Sequence, residues 1–373
     1  MITEPTALLA FMFLVVAFAR FLEGRFPIVQ KVSSAVICTL LGILLANIGV
    51  IPHESAVLAA VGEYAVPYAI VLVILSSRLK DLRKAGKPLV IAFVLAGAGT
   101  FVGALVASLL FASSLGPETW KLAGTFAGAF WGGGMNFAAV GRGLDMSESL
   151  FAAAFVADNL STVPWMLAQV GLFSLLAAYY RSGSHVGGSE AKSEDQRKAW
   201  SETTVSITDL AWLAALPLSF MWIAERVGAS GPGQVLCLTT LALVAAQLPI
   251  VHRLRGAAVL SYFALHLFFI VIGAVSDVRE VANAGPVLFV YMLAIIAIHA
   301  LVVYGIGYLV RLDLPTLTIA SQAAIGGPGS ALALGMAMKW NELVTPGIIV
   351  GIFGYGVGNY LGFATAYLLR QLL

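Results

Sequence analysis

The chain has 373 residues, 60% of them hydrophobic and only 11% charged, with a mean hydropathy of +0.94 and a formal net charge of +2. This composition excludes a water-soluble globule. The small net charge says little about partners, and no nucleic-acid partner is expected. Runs of about 20 apolar residues recur along the chain, the length that crosses a bilayer as a helix. The expectation is an all-α, multi-pass protein of a bacterial inner membrane, with the lipid bilayer as its surroundings.

In chain order the apolar segments run 6–22, 33–51, 56–75, 88–112, 122–140 and 150–180, then 210–227, 235–251, 258–275, 286–310, 314–338 and 344–369. The acidic, base-free N-terminus does not read as a cleaved signal peptide. Between the two sets of six lies the only long polar stretch, RSGSHVGGSEAKSEDQRKAWSETT, which is Ser/Gly-rich with mixed charge and reads as a flexible linker. The predicted division is an N-terminal repeat over 1–180, a polar cytoplasmic linker over 181–208 and a C-terminal repeat over 209–373.

The two sets share an order of features. YAVPYAIVLVI from Tyr64 parallels YFALHLFFIVI from Tyr262, and each is followed by a proline, Pro88 or Pro286, opening the next span. The glycines of WGGGMN parallel those of IGGPGS, and VADNL parallels GVGNY. Internal duplication of this kind is the ordinary plan of secondary transporters.

Charge decides the topology of the duplication. If all twelve segments cross, the 21 lysines and arginines divide almost evenly between the two faces. If each glycine-rich segment instead enters and leaves on one side, each half has about five crossings and the halves are inverted. Only Lys121, Arg142, Arg226, Arg279 and Arg370 then lie outside, as the positive-inside rule prefers. A broken but spanning helix, with the parity mended elsewhere, is the alternative. Either way the glycines mark helix breaks, at Gly132–Gly134 and near Gly329 and Ser330. A half-helix starting near Met135 would turn unsatisfied N–H groups toward whatever lies beside it. Two such ends meeting near the midplane would make an anion or zwitterion site. The glycines at Gly97 and Gly99 read as packing positions.

Polar residues inside the spans supply the candidates. Asp158 lies about eight residues into its segment, roughly 12 Å deep. A carboxylate there is costly unless it binds a proton, a cation or a partner. Asn159 stands beside it and Asn359 occupies the matching place in the second half. These three are the candidates for the coupling ion, with Asp158 the ligand if that ion is sodium. Gly133, Gly134, Asn136, Gly327, Gly329 and Ser330 are the candidates for the solute. Glu63 reads as a second buried acid, and Ser161, Thr162, Ser321 and Gln322 flank the breaks as hydrogen-bonding groups. His266 and His299 read as packing histidines with satisfied ring nitrogens. Cys38 and Cys237 lie in apolar runs and suggest neither a disulfide framework nor a metal site. The chain contains no GxxxxGK[ST], HExxH or CxxC.

The stretches WGGGMNFAAVGRGL and FVADNL, with IGGPGSALALGMAMKWNELVTPGIIVGIFGYGVGNYLG, resemble the YjcL-like family of bacterial integral membrane proteins. The resemblance covers essentially the whole chain and implies no settled substrate. More distantly, the inverted halves with paired breaks resemble the bile-acid sodium symporter, glutamate–sodium symporter and cation–proton antiporter folds. GGGMN and GGPGS depart from the GGxGN pattern of those folds. The expected function is secondary transport of a small organic anion or amino-acid-like solute, coupled to sodium or protons, with no other cofactor. A cation–proton antiporter without organic substrate is the alternative. An intramembrane enzyme would need a second catalytic group near Asp158, and the sequence shows none. Analogy suggests a homodimer through the first segments of each half.

Overall fold

The structure, a computed structural model, describes residues 1–26, 33–75, 77–180 and 205–373. The described residues are helical and contain no strand. The predicted linker falls almost wholly outside them; its last residues enter view where Ser206 caps the next helix.

The first half comprises α1 (Pro5–Arg25), α2 (Ser34–Asn47), α3 (Ala56–Ile74), a single turn α4 (Leu82–Ala85), α5 (Lys87–Leu115), α6 (Thr119–Ala129), α7 (Gly134–Gly143) and α8 (Glu148–Leu176). The second comprises α9 (Ile207–Arg226), α10 (Pro232–Ala245), a single turn α11 (Pro249–His252), α12 (Ala257–Val275), α13 (Val278–Leu309), α14 (Leu314–Ala337) and α15 (Asn341–Leu372). Every predicted apolar segment carries helix. Among the described residues, eight helices (α1, α3, α5, α8, α9, α12, α13 and α15) are long and apolar enough to cross a membrane, while α2 and α10 are shorter apolar helices of 14 residues each.

Local chemistry sets the boundaries. Glu4 accepts hydrogen bonds from the Thr6 and Ala7 main-chain N–H groups and Pro5 opens α1. Ser206 and Asp209 form a reciprocal capping box at α9, and Asp313 caps α14 through Thr316 N at 3.0 Å. Gly86 (φ +80°) and Gly116 (φ +77°) bound α5 in conformations that side chains resist.

Helices from the two halves approach closely through small residues. A Cβ on Gly103 in α5 would lie 2.6 Å from the Ile295 carbonyl oxygen in α13. On Gly99 it would lie 3.1 Å from the His299 carbonyl oxygen, so the packing role predicted for this glycine holds. Gly97 receives the Trp131 indole in the space a side chain would fill. In α6 and α15, Gly124 and Gly128 face Gly362 and Gly358. Between apolar helices in lipid, such backbone approach replaces the hydrophobic drive as the source of affinity. His299 bridges α5, α13 and α14, with Nδ1 2.9 Å from Thr100 Oγ1 and Nε2 2.8 Å from Ser321 Oγ. It is the satisfied packing histidine the sequence suggested.

Candidate functional site

The helical path is interrupted twice, and the interruptions meet. Between α6 and α7, Gly133 adopts φ +102° and ψ −166°; within α14, Gly327 adopts φ +76° and ψ −173°. Both lie in a backbone region that is essentially reserved for glycine. A Cβ on Gly327 would stand 2.5 Å from the Gly132 carbonyl oxygen, and one on Gly133 would stand 3.5 Å from Gly327 Cα. The two chains therefore cross backbone to backbone. α15 runs against both: Gly351 meets Pro328, and Gly354 meets the Trp131 carbonyl. The second interruption falls at Gly327, two residues before the Gly329–Ser330 position expected from sequence, because Pro328 has no N–H to continue the ladder.

Asn136, offered from sequence as a solute ligand, spends its amide hydrogens on the scaffold. Its Nδ2 donates to the Gly128 carbonyl at 3.2 Å and the Gly354 carbonyl at 2.9 Å. It ties α7 to α6 and α15 immediately beside the crossing. Ser330 Oγ turns back to the carbonyls of Gly327 (3.0 Å) and Gln322 (3.2 Å), and its single hydrogen serves one of them at a time. Gly329 is exposed, and a Cβ there would meet nothing within 4 Å. The start of the second α14 segment thus faces open space.

α8 presents one face to this crossing. Phe155, Asp158, Thr162, Trp165 and Gln169 follow helical spacing along a single stripe. Phe155 Cε2 would be 3.6 Å from a Cβ on Gly134, the first residue of α7. Thr162 Cγ2 would be 2.6 Å from a Cβ on Gly326. Asp158 lies on the stripe between these two contacts, 5% exposed. Among the described residues no group hydrogen-bonds or ion-pairs with its carboxylate; Ser161 Oγ donates only to its main-chain oxygen, at 2.5 Å.

Unpartnered polar atoms gather on the same α8–α14 interface. Gln322 is fully buried with neither amide atom hydrogen-bonded, and Trp165 Nε1 and Gln169 Oε1 are likewise without partners among the described residues. Each such atom costs about 1–3 kcal/mol unless water or a ligand reaches it. Gln169 and Trp165 were missed in the sequence reading. Their signal is helical phase: they continue the stripe that begins at Phe155 and Asp158.

The asparagine pair is placed differently from the acid. Asn159 Nδ2 donates to the Phe155 carbonyl at 2.9 Å, and its Oδ1 accepts from Ser33 Oγ at 3.3 Å. Asn359 Nδ2 donates to Thr239 Oγ1 at 2.9 Å while its buried Oδ1 has no partner. Thr239 had no sequence signal beyond its apolar surroundings. Glu63 requires a correction: it lies on an exposed face of α3, not in the interior, because the buried face of that helix is carried by Leu58, Ala65, Val66 and Ala69. Among the described residues, no three His, Cys, Asp or Glu side chains come together as a metal site.

A cavity of about 550 Å³ lies elsewhere, at the far ends of α7 and α8, bordered by His53, Glu54, Arg142, Glu148 and Phe268. Its lining residues Arg142 and Glu148 are about 12–15 Å along their helices from Gly134 and Asp158. It is separate from the crossing.

Comparison with known proteins agrees with this membrane architecture. The family model described as "Protein of unknown function (DUF819)" matches residues 9–372. The chain is also 29% identical over 360 residues to the uncharacterized membrane protein YjcL of Bacillus subtilis (strain 168), covering 91% of each. The relationship expected from the glycine-rich motifs is borne out, and the chain is a membrane protein of that family.

Proposed function

We propose that this chain, which belongs to the DUF819 family, is a secondary active transporter of a small organic anion or amino-acid-like solute, coupled to sodium or protons. One observation carries the reading: two glycine-only helix interruptions cross beside a buried carboxylate, Asp158, that has no protein partner among the described residues. A bare carboxylate in such a place must take up a proton or a cation. The α7 start and the open space at Gly329 offer N–H groups to an anionic solute group. Gln322 and Ser330 lie beside that space. Asp158 binds the coupling ion in this reading, while Asn159 and Asn359 are held against Ser33 and Thr239.

The likeness of the two halves supports an inverted-repeat transporter of the inner membrane. α1, α2, α3 and α5 have 21, 14, 19 and 29 residues; α9, α10, α12 and α13 have 20, 14, 19 and 32. Inversion would bring the two interruptions to the crossing from opposite faces, and relative motion of the crossed core against α1–α3 and α9–α12 would give alternating access. Cysteine labelling of intact cells at Arg142 and Arg253 tests the topology: label from outside is expected at Arg142 alone, and strong labelling at Arg253 would sink the inverted arrangement.

A cation–proton antiporter is the second reading, favoured by the solitary carboxylate, which is all that such exchange requires. Purified protein in liposomes separates the two. Gradient-driven uptake of labelled organic anions or amino acids supports symport; cation–proton exchange with no solute present supports antiport; neither activity under either gradient defeats both.

A further inference from the structure

A second ionisable cluster lies away from Asp158, where the end of α1, the start of α2 and the middle of α12 meet. His266 Nδ1 is 2.7 Å from the Tyr262 carbonyl oxygen. A carbonyl only accepts, so Nδ1 carries a hydrogen. His266 Nε2 is 2.8 Å from Ser34 Oγ, and Ser34 Oγ is 2.8 Å from Glu23 Oε2. Glu23 also accepts from the Ser34 main-chain N–H at 3.2 Å and pairs with Arg20, which donates to Ser34 Oγ at 3.3 Å. Ser34 is 2% and His266 7% exposed, so water does not cheaply relieve a mismatch at the ring, whereas the Glu23 side chain is 21% exposed.

The hydrogens do not balance around a neutral ring. Ser34 has one hydroxyl hydrogen and two acceptors, the imidazole Nε2 and the Glu23 carboxylate. If it serves the carboxylate, Nε2 is left without a donor; if it serves the ring, Glu23 keeps only Arg20 and the Ser34 main-chain N–H. A proton on Nε2 removes the conflict: Nε2–H donates to Ser34 Oγ, and the hydroxyl then donates to Glu23. The packing role read for His266 from the sequence is therefore incomplete.

We propose that Glu23, Ser34 and His266 form a proton-binding relay, separate from Asp158, in which a proton taken up on His266 Nε2 turns the Ser34 hydroxyl from the imidazole toward the carboxylate. The proton comes from a hydronium ion, leaving water; one N–H bond forms, Ser34 keeps its own hydrogen, and the cluster gains one positive charge. Other ionisable groups surround it. Cys38 lies one turn along α2, Tyr262 reaches the Tyr355 hydroxyl of α15 at 3.4 Å, and Glu63 of α3 is exposed. On α8, Asp158 is next to Asn159, which accepts from Ser33. None of their side chains hydrogen-bonds a ring nitrogen of His266 among the described residues. The relay joins α12 to α1 and α2, so the state of one proton alters the contact between elements from both halves.

The inference does not rest on the transport reading, because its test reads ring nitrogens in protein that transports nothing. Full-length protein labelled with heavy nitrogen in histidine is placed in nanodiscs and titrated by NMR, with His266→Gln identifying the signals. The His266 midpoint is expected to fall by about one pH unit or more in Glu23→Gln, a roughly tenfold weaker proton site, since the imidazolium loses its anion. Ser34→Ala should lower it similarly, Glu23→Gln should add less than half its own effect in that background, and Ser34→Thr should restore the midpoint. An unchanged midpoint in either single variant, or full additivity of the pair, overturns the relay. Thermal unfolding of each variant confirms that a folded protein was titrated.

Discussion

Gly133 and Gly327, almost two hundred positions apart in sequence, are in van der Waals reach of one another, each with a positive φ and an extended ψ. Neither interruption is an isolated defect in a helix. A side chain on Gly327 would strike the Gly132 carbonyl and one on Gly133 would touch Gly327, so the crossing is one structural unit made by both halves.

Substitution at this unit should separate conformation from space. Gly327→Ala combines a backbone strain of about 1–3 kcal/mol with a clash against the Gly132 carbonyl. Gly133→Leu suffers the same strain. Both variants are expected to reach the membrane with lowered unfolding temperature and no solute uptake. Gly329→Ala meets no atom and should keep wild-type stability while weakening uptake, because its methyl enters the open space. A Gly327→Ala protein as stable and active as wild type would mean that the crossing can rearrange.

Asp158→Asn tests the ion site. The amide is nearly isosteric and, among the described residues, the carboxylate makes no hydrogen bond that would be lost, so folding should be retained. Ion-driven accumulation in liposomes should disappear. Wild-type gradient dependence in this variant would leave Asp158 without an ion to hold.

Asn136 and Gln322 are opposite cases of a buried amide. Asn136→Ala removes two buried hydrogen bonds, to the Gly128 and Gly354 carbonyls, at a cost of roughly 2 kcal/mol, although Gly128 still accepts from the Trp131 N–H. Gln322→Met removes a side chain without partners among the described residues and preserves volume, so stability should hold or rise. Uptake should nevertheless fall sharply, because the amide is kept for a ligand or water. Chemical or thermal unfolding set beside uptake reads both; a Gln322→Met protein that is destabilised but transports normally would assign the amide to the scaffold.

Outside the membrane, Glu118 links the two loops that carry α6 and α8. Burial raises its pKa, but hydrogen bonds from Lys121 and from Ser147 Oγ and N–H outweigh this and hold it below the usual carboxylate value of 4.5. A carboxylate with a lowered folded-state pKa contributes stability that is complete above the unfolded value and lost as pH falls through the folded one. Wild-type protein should therefore lose stability on acidification below about pH 4.5. Glu118→Gln should lose less over that interval, which thermal unfolding at stepped pH would measure.

How much of this was readable in advance follows from what each residue's signal depends on. The apolar runs depend on local backbone chemistry, so the sequence alone placed the helices, and the positive-φ glycines Gly133 and Gly327 fall at, or within two residues of, the glycine positions it singled out. Asp158 announced itself because a carboxylate in an apolar segment is costly wherever the helix faces. Facing was another matter. In a membrane helix lipid and protein interior are both apolar, so hydrophobic periodicity does not tell inside from outside. That is why Glu63 read as buried and proved exposed, and why Gln169 and Trp165 went unnoticed on the Asp158 stripe. Only the packing of α6, α7 and α15 showed that Asn136 spends its amide on carbonyls. Only the meeting of α1, α2 and α12 brought Glu23, Ser34 and His266 within one chain of hydrogen bonds. Helix ends are decided by neighbours in sequence; helix faces are decided by which other helices come to lie against them.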